Sequence, residues 1–105
     1  MAFKYNNTLQ KKLEEIFQEG GYSVRYERGS FQNGYCILEK RKVVVINRFH
    51  ELDAKINSLM EILVNIEDLE LDNLSSESME LYQRVRAEKM ELFGGQDEAL
   101  DTPLL

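Results

Sequence analysis

The chain has a single cysteine, Cys36, and a single histidine, His50. One cysteine leaves no internal disulfide and no cysteine metal cluster. One residue of each kind cannot supply the ligands of an ordinary structural zinc site. Any Cys–His catalytic pair would have to be these two. Cys36 falls mid-strand between Tyr35 and Ile37, the usual setting of an inert thiol, so both are read as structural or surface groups. No apolar run approaches the roughly 20 residues of a membrane helix. Residues 1–7 lack an apolar segment, so no secretory signal is expected. A lone thiol fits a reducing, cytoplasmic setting. Gly20-Gly21 follow a helical pattern and precede a strand pattern, the reverse of the strand–loop–helix order that cradles phosphate. The acidic run 67–72 lacks the glycine turn and ligand pattern of a calcium loop and reads as solvated charge. No internal repeat is present. The expectation is a protein that is not an enzyme and uses no cofactor or metal.

What is present suits one domain with one modest core in 105 residues. Charge is unevenly spread. Residues 1–50 hold nine Lys/Arg against five Glu, or +4; residues 51–105 hold four against fourteen Asp/Glu, or −10; the net is −6. A globally acidic chain is a poor general nucleic-acid binder, because phosphate attraction dominates non-specific binding. The split leaves room for a local basic patch, or for opposite-sign association between copies.

Phe3 and Tyr5 precede a helix that Asn7, as N-cap, and Gln10, as its reciprocal partner, place near Thr8. Leu9, Leu13, Ile16 and Phe17 share one face of it, and Gly20-Gly21 end it. Residues 22–28 alternate, with Tyr22, Val24 and Tyr26 on the buried side of a strand. The connection 29–34 is long for a tight hairpin and carries Phe31 near its tip. Phe31 is open to two readings, a lid folded on the core or a contact residue. Strands follow at 35–38 and 43–46, joined by the polar turn Glu39-Lys40-Arg41-Lys42. The all-apolar third strand suits a central position covered on both faces.

The strongest periodicity lies at 49–66. Phe49, Leu52, Ile56, Leu59, Met60, Leu63 and Ile66 recur at helical spacing, and Ile62 and Val64 widen the apolar surface. The sheet can cover one side; the last helix or a second copy must cover the other. Ser75 caps that last helix, with Leu81, Val85 and Leu92 on one stripe, Met79, Tyr82, Met90 and Phe93 on the next, and Gly94-Gly95 as its stop. The fold class is α+β in the order α-β-β-β-α-α, with a small three-stranded antiparallel sheet packed on helices. Residues 1–95 form the domain and 96–105 a disordered tail.

The run Gly34-Tyr35-Cys36-Ile37-Leu38, then Val43-Val44-Val45-Ile46-Asn47, then Ser58-Leu59-Met60-Glu61-Ile62-Leu63-Val64, resembles the front part of bacterial ImmA/IrrE-type zinc peptidases. In that family a strand and an Asn-containing turn lead into a helix carrying H-E-x-x-H. The resemblance puts Met60 and Val64 at the two histidines and Glu61 at the general-base glutamate. It implies a shared topology without zinc or proteolysis, since two imidazoles are needed to hold the metal. The chain also has the look of short bacterial proteins.

Two functions of different kinds follow. The first is a non-catalytic protein-interaction module that self-associates, through the broad apolar surface that includes Ile62, Val64 and Ile66. The second is a nucleic-acid or anionic-ligand binder that uses Arg25, Arg28, Arg41 and Arg48 with the sheet aromatics and Phe31. Against the second, alternating aromatics in a small sheet serve a core. Neither involves a membrane.

Overall fold

The computed structural model describes the backbone of residues 3–28 and 35–101, with their side chains as far as residue 89. Phe31 lies outside the described residues.

Helix α1 (Asn7–Glu19) is capped by Asn6, one residue earlier than the sequence pattern suggests. The Asn6 side-chain oxygen accepts the Leu9 amide at 2.9 Å. Leucine occupies the third helical position, so no reciprocal cap forms, and the Gln10 side chain donates instead to the Tyr26 hydroxyl at 2.9 Å. Leu9, Leu13, Ile16 and Phe17 are buried as the spacing requires. The C-terminus is a Schellman motif. The Tyr22 amide reaches the Phe17 carbonyl at 2.8 Å and the Gly21 amide the Gln18 carbonyl at 3.2 Å. Gly21 takes the left-handed conformation, with φ of 98°. The Tyr22 and Phe17 rings meet edge to face, supplying the apolar contact that accompanies such a turn.

Strands β1 (Ser23–Glu27), β2 (Tyr35–Leu38) and β3 (Val43–Asn47) form one sheet in the order β1-β3-β2. The sheet is mixed, which corrects the all-antiparallel expectation: β2 pairs β3 antiparallel, but β1 pairs β3 parallel. The physical reason lies in β3. Its Val-Val-Val-Ile run is apolar toward both faces and takes the middle, while the polar alternation of β1 suits an edge. Strands β1 and β2 therefore lie two strand spacings apart, about 9.6 Å. Between β2 and β3 a 3-10 turn, Glu39–Arg41, ends on Lys42, a non-glycine residue at φ of 57°.

The register gives the sheet two unlike faces. Val24, Val44, Ile37, Tyr26, Ile46 and Tyr35 face the core. Arg25, Val45 and Cys36 lie across one another on the opposite face, with Ser23, Val43 and Leu38 beside them.

Helix α2 (Leu52–Asn65) lies against the sheet and α1, and α3 (Ser76–Asp101) closes its remaining side with Tyr82 and Val85. Ile62, Val64 and Ile66 are thereby buried in the chain's own core, not displayed as a surface for a partner. Phe3 and Tyr5 dock on this core. Ser75 caps α3: its hydroxyl accepts the Ser78 amide at 3.1 Å. The helix continues through Gly94-Gly95, where a stop was expected. Glycine costs about 1 kcal/mol in a helix interior but does not forbid it, and Gln96-Asp97-Glu98-Ala99-Leu100 carries no break. No helix among the described residues is long and apolar enough to cross a membrane.

Candidate interaction site

The two ends of β3 differ in how their charges are used. At the end where β1 and β3 finish, the ladder runs one residue past the strands, with the Arg48 amide donating to the Glu27 carbonyl at 3.1 Å. Arg28 and Arg48 are thereby neighbours at adjacent strand ends. The Asn47 side chain then accepts the Phe49 amide at 3.0 Å, and the Asn47 carbonyl accepts the His50 amide at 3.2 Å. This turn delays α2 until Leu52 and swings Phe49 outward. Phe49 was expected as the first rung of the helical stripe; it is 62% exposed.

Both guanidinium groups settle on that ring. Arg28 lies 5.6 Å and Arg48 5.3 Å from its centroid. Exposed cation–π contacts of this kind are worth about 0.5–1 kcal/mol each. Neither arginine has a carboxylate partner among the described residues; nearby Glu27 is taken by Arg25 at 2.6 Å. The result is a knob made of an exposed aromatic ring with two unneutralised positive charges beside it.

At the other end of β3 the cation beside the ring is tied to a carboxylate. Lys42 pairs with Asp68 at 2.5 Å and lies over the Tyr22 ring. The Tyr22 hydroxyl donates to the other Asp68 oxygen at 2.6 Å. Lys42 first, and Tyr22 second, hold the Asp68 carboxyl below its ordinary range. Burial first, and the Asp68 carboxylate second, push the Tyr22 hydroxyl well above its ordinary range. This clamp fastens the α2–α3 connector to the sheet. The Glu70 amide adds a bond to the Gly20 carbonyl at 2.9 Å, and Leu69 packs on Gly20 so closely that a Cβ there would collide with it.

The remaining sequence candidates scatter. Arg25 projects from the open sheet face in its pair with Glu27. Arg41 sits at the clamp end, lining a shallow groove of about 510 Å³ with Ile37, Leu38 and Lys40. The arginines thus form no single basic face. The sheet tyrosines serve the interior: Tyr26 donates to Glu14, and Tyr35 to Glu61 at 3.2 Å. Met60 and Val64, at the positions of the zinc-binding histidines in the family resemblance, are apolar core residues. Cys36 is half-buried, and His50 Nδ1 is buried without a hydrogen-bond partner. Among the described residues, no three metal-ligating side chains converge.

Phe49 is the site residue that sequence reasoning missed, because its spacing matches the helix that follows. The one available signal was Asn47, whose side chain competes for backbone amides and favours a turn over an immediate helix start. The chain matches no protein-family model, no curated protein and no solved structure.

Proposed function

We propose that this protein is a small non-catalytic interaction module whose Arg28–Phe49–Arg48 knob holds an acidic, partly apolar segment of a protein partner. The observation that carries this reading is the exposed Phe49 ring with two guanidiniums on it and, among the described residues, no carboxylate on either. Arginine and aromatic residues are the side chains that most often dominate protein interfaces. A planar guanidinium also accepts a carboxylate through two parallel hydrogen bonds. An anion brought to the knob would relieve the repulsion between the two cations.

A nucleic-acid strand is the weaker occupant. The chain carries −6 overall, which opposes a polyanion at long range, and Tyr22, Tyr26 and Tyr35 are committed to the interior. The test is fluorescence anisotropy with two labelled probes at low salt, an alternating Glu–Leu octapeptide and a thymidine oligonucleotide of equal charge. The peptide is expected to bind more tightly, and Arg28→Ala/Arg48→Ala/Phe49→Ala to weaken it at least about tenfold, a loss of about 1.4 kcal/mol. Equal binding by the triple variant, or preference for the oligonucleotide, would overturn the reading.

A further inference from the structure

The acidic pole of the fold carries a feature that mirrors the knob. Three large apolar side chains are exposed among the described residues: Leu38, Phe49 and Leu71. Phe49 lies between two arginines. Leu71, 37% exposed, lies in the α2–α3 connector, in the run Glu67-Asp68-Leu69-Glu70-Leu71-Asp72. Asp68 is held by Lys42 and Tyr22, and Glu70 accepts the Asn73 side-chain amide at 2.8 Å. Glu67 and Asp72 are exposed and have no cationic partner among the described residues. Among the described residues, the turn before α2 therefore offers two cations without carboxylate partners and a ring, and the connector after α2 two unpaired carboxylates and a leucine.

The two features cannot meet within one molecule. The knob lies just before the start of α2 and the ledge just after its end. A 14-residue helix separates them, about 21 Å of axis. The ledge is also held in place for docking by the clamp, the Glu70–Gly20 backbone bond and the 3-10 turn Leu71–Asn73.

We infer that the partner of the Arg28–Phe49–Arg48 knob is the Glu67–Leu71–Asp72 ledge of a second copy of this chain, so that copies associate head to tail. This rests on the knob reading given above and adds the partner's identity. Phe49 packs on Leu71 while Arg28 and Arg48 meet Glu67 and Asp72. The contact is heterologous: each copy keeps a free knob at one end and a free ledge at the other. Such a contact extends into a chain of molecules unless its rotation closes a ring. With two charge pairs and one apolar contact the interface is small, which puts it with weak, reversible associations. It is sensitive to salt because its charges lie at the surface.

The test uses sedimentation equilibrium on the full chain and on two variants, Arg28→Glu/Arg48→Glu and Glu67→Lys/Asp72→Lys. All four positions are exposed, and an unchanged thermal midpoint verifies folding. The wild-type weight-average mass is expected to rise continuously with concentration and to fall back as salt is added. Each variant alone is expected to stay monomeric. Their equimolar mixture is expected to associate again and to grow with concentration as an alternating chain, because the intact knob meets the intact ledge and the reversed knob meets the reversed ledge. A chain carrying all four substitutions is expected to regain association through reversed charges. Should a variant lose its fold, Phe49→Ala and Leu71→Ala, singly and mixed, give a second reading: each lowers the wild-type association. A wild-type chain that remains monomeric but still binds the Glu–Leu peptide overturns the second-copy partner and leaves the knob reading standing. Failure of both measurements overturns both. Association that survives in the two variants separately also overturns the inference.

Discussion

The two ends of β3 are built from the same kinds of side chain, cations beside an aromatic ring, yet they differ in what the fold does with them. At the start of the strand, Lys42, Tyr22 and Asp68 satisfy one another, and the ring is buried. At the finish, Arg28 and Arg48 lie over Phe49 with no carboxylate partner among the described residues, and the ring is exposed. The difference is a carboxylate. Asp68 reaches the first cluster because the α2–α3 connector folds back across it. Among the described residues no acidic side chain pairs with the second; nearby Glu27 goes to Arg25. Where charge is neutralised internally it fastens elements together, and where it is left open it is available for an intermolecular contact.

That contrast is broken most severely through the two rings. Tyr22→Ala removes a buried aromatic and is expected to cost about 3–5 kcal/mol in urea unfolding, whereas Phe49→Ala, which loses two exposed cation–π contacts, is expected to cost no more than about 1–2 kcal/mol. Comparable losses would show that the knob is part of the core. Next in size, Gly21→Ala forces a Cβ into the left-handed region beside the Glu70 carboxylate. It is expected to destabilise by about 1–2 kcal/mol, seen as a lower thermal midpoint.

Smaller effects follow from protonation. The folded Asp68 carboxyl titrates below its unfolded value, so its contribution is present above the unfolded value and is lost as pH falls through the folded one. The wild type should therefore lose more thermal stability on acidification than Asp68→Asn does. Parallel acid limbs for the two proteins would mean that the clamp carries no linkage. Tyr22 runs the opposite way. Its folded value is raised, so its contribution is present at neutral pH and declines as pH rises above the ordinary tyrosine value, about 10. Tyr22→Phe should flatten that alkaline decline, read by urea unfolding across the range. The smallest effect belongs to the open pole. Arg28→Ala alone should lower the unfolding free energy by no more than about 0.5–1 kcal/mol, the worth of one exposed cation–π contact.

Much of the fold was legible where a local pattern has one packing solution. The Leu9, Leu13, Ile16, Phe17 stripe, the Gly20-Gly21 stop, the Ser75 cap and the central place of the all-apolar strand were all readable, and the structure has each of them; the Gly94-Gly95 stop it does not have. The pairing direction of β1 was not, because antiparallel and parallel partners present the same alternation. The candidate site was legible only in part. Arg28 and Arg48 stood out as basic residues beside the strands, but Arg25 and Arg41 looked the same and lie elsewhere. Ile62, Val64 and Ile66 suggested a surface in need of a partner, and α3 buries them within the chain.

The sequence alone determined an acidic chain of α+β class, the order of its helices and strands and most residues of its core stripes. Periodicity, caps and composition act over a few residues, so a linear reading captures them. Tertiary structure decided which charges found partners and which apolar residues were left outside. Phe49 and Leu71 carry the spacing of buried residues, and Asp68 and Asp72 stand four apart in one acidic run. The Asn47 turn and the path of the connector leave Phe49 and Leu71 outside, and the position of Lys42 neutralises Asp68 but not Asp72, because burial and neutralisation depend on what the folded chain brings close from far away in sequence.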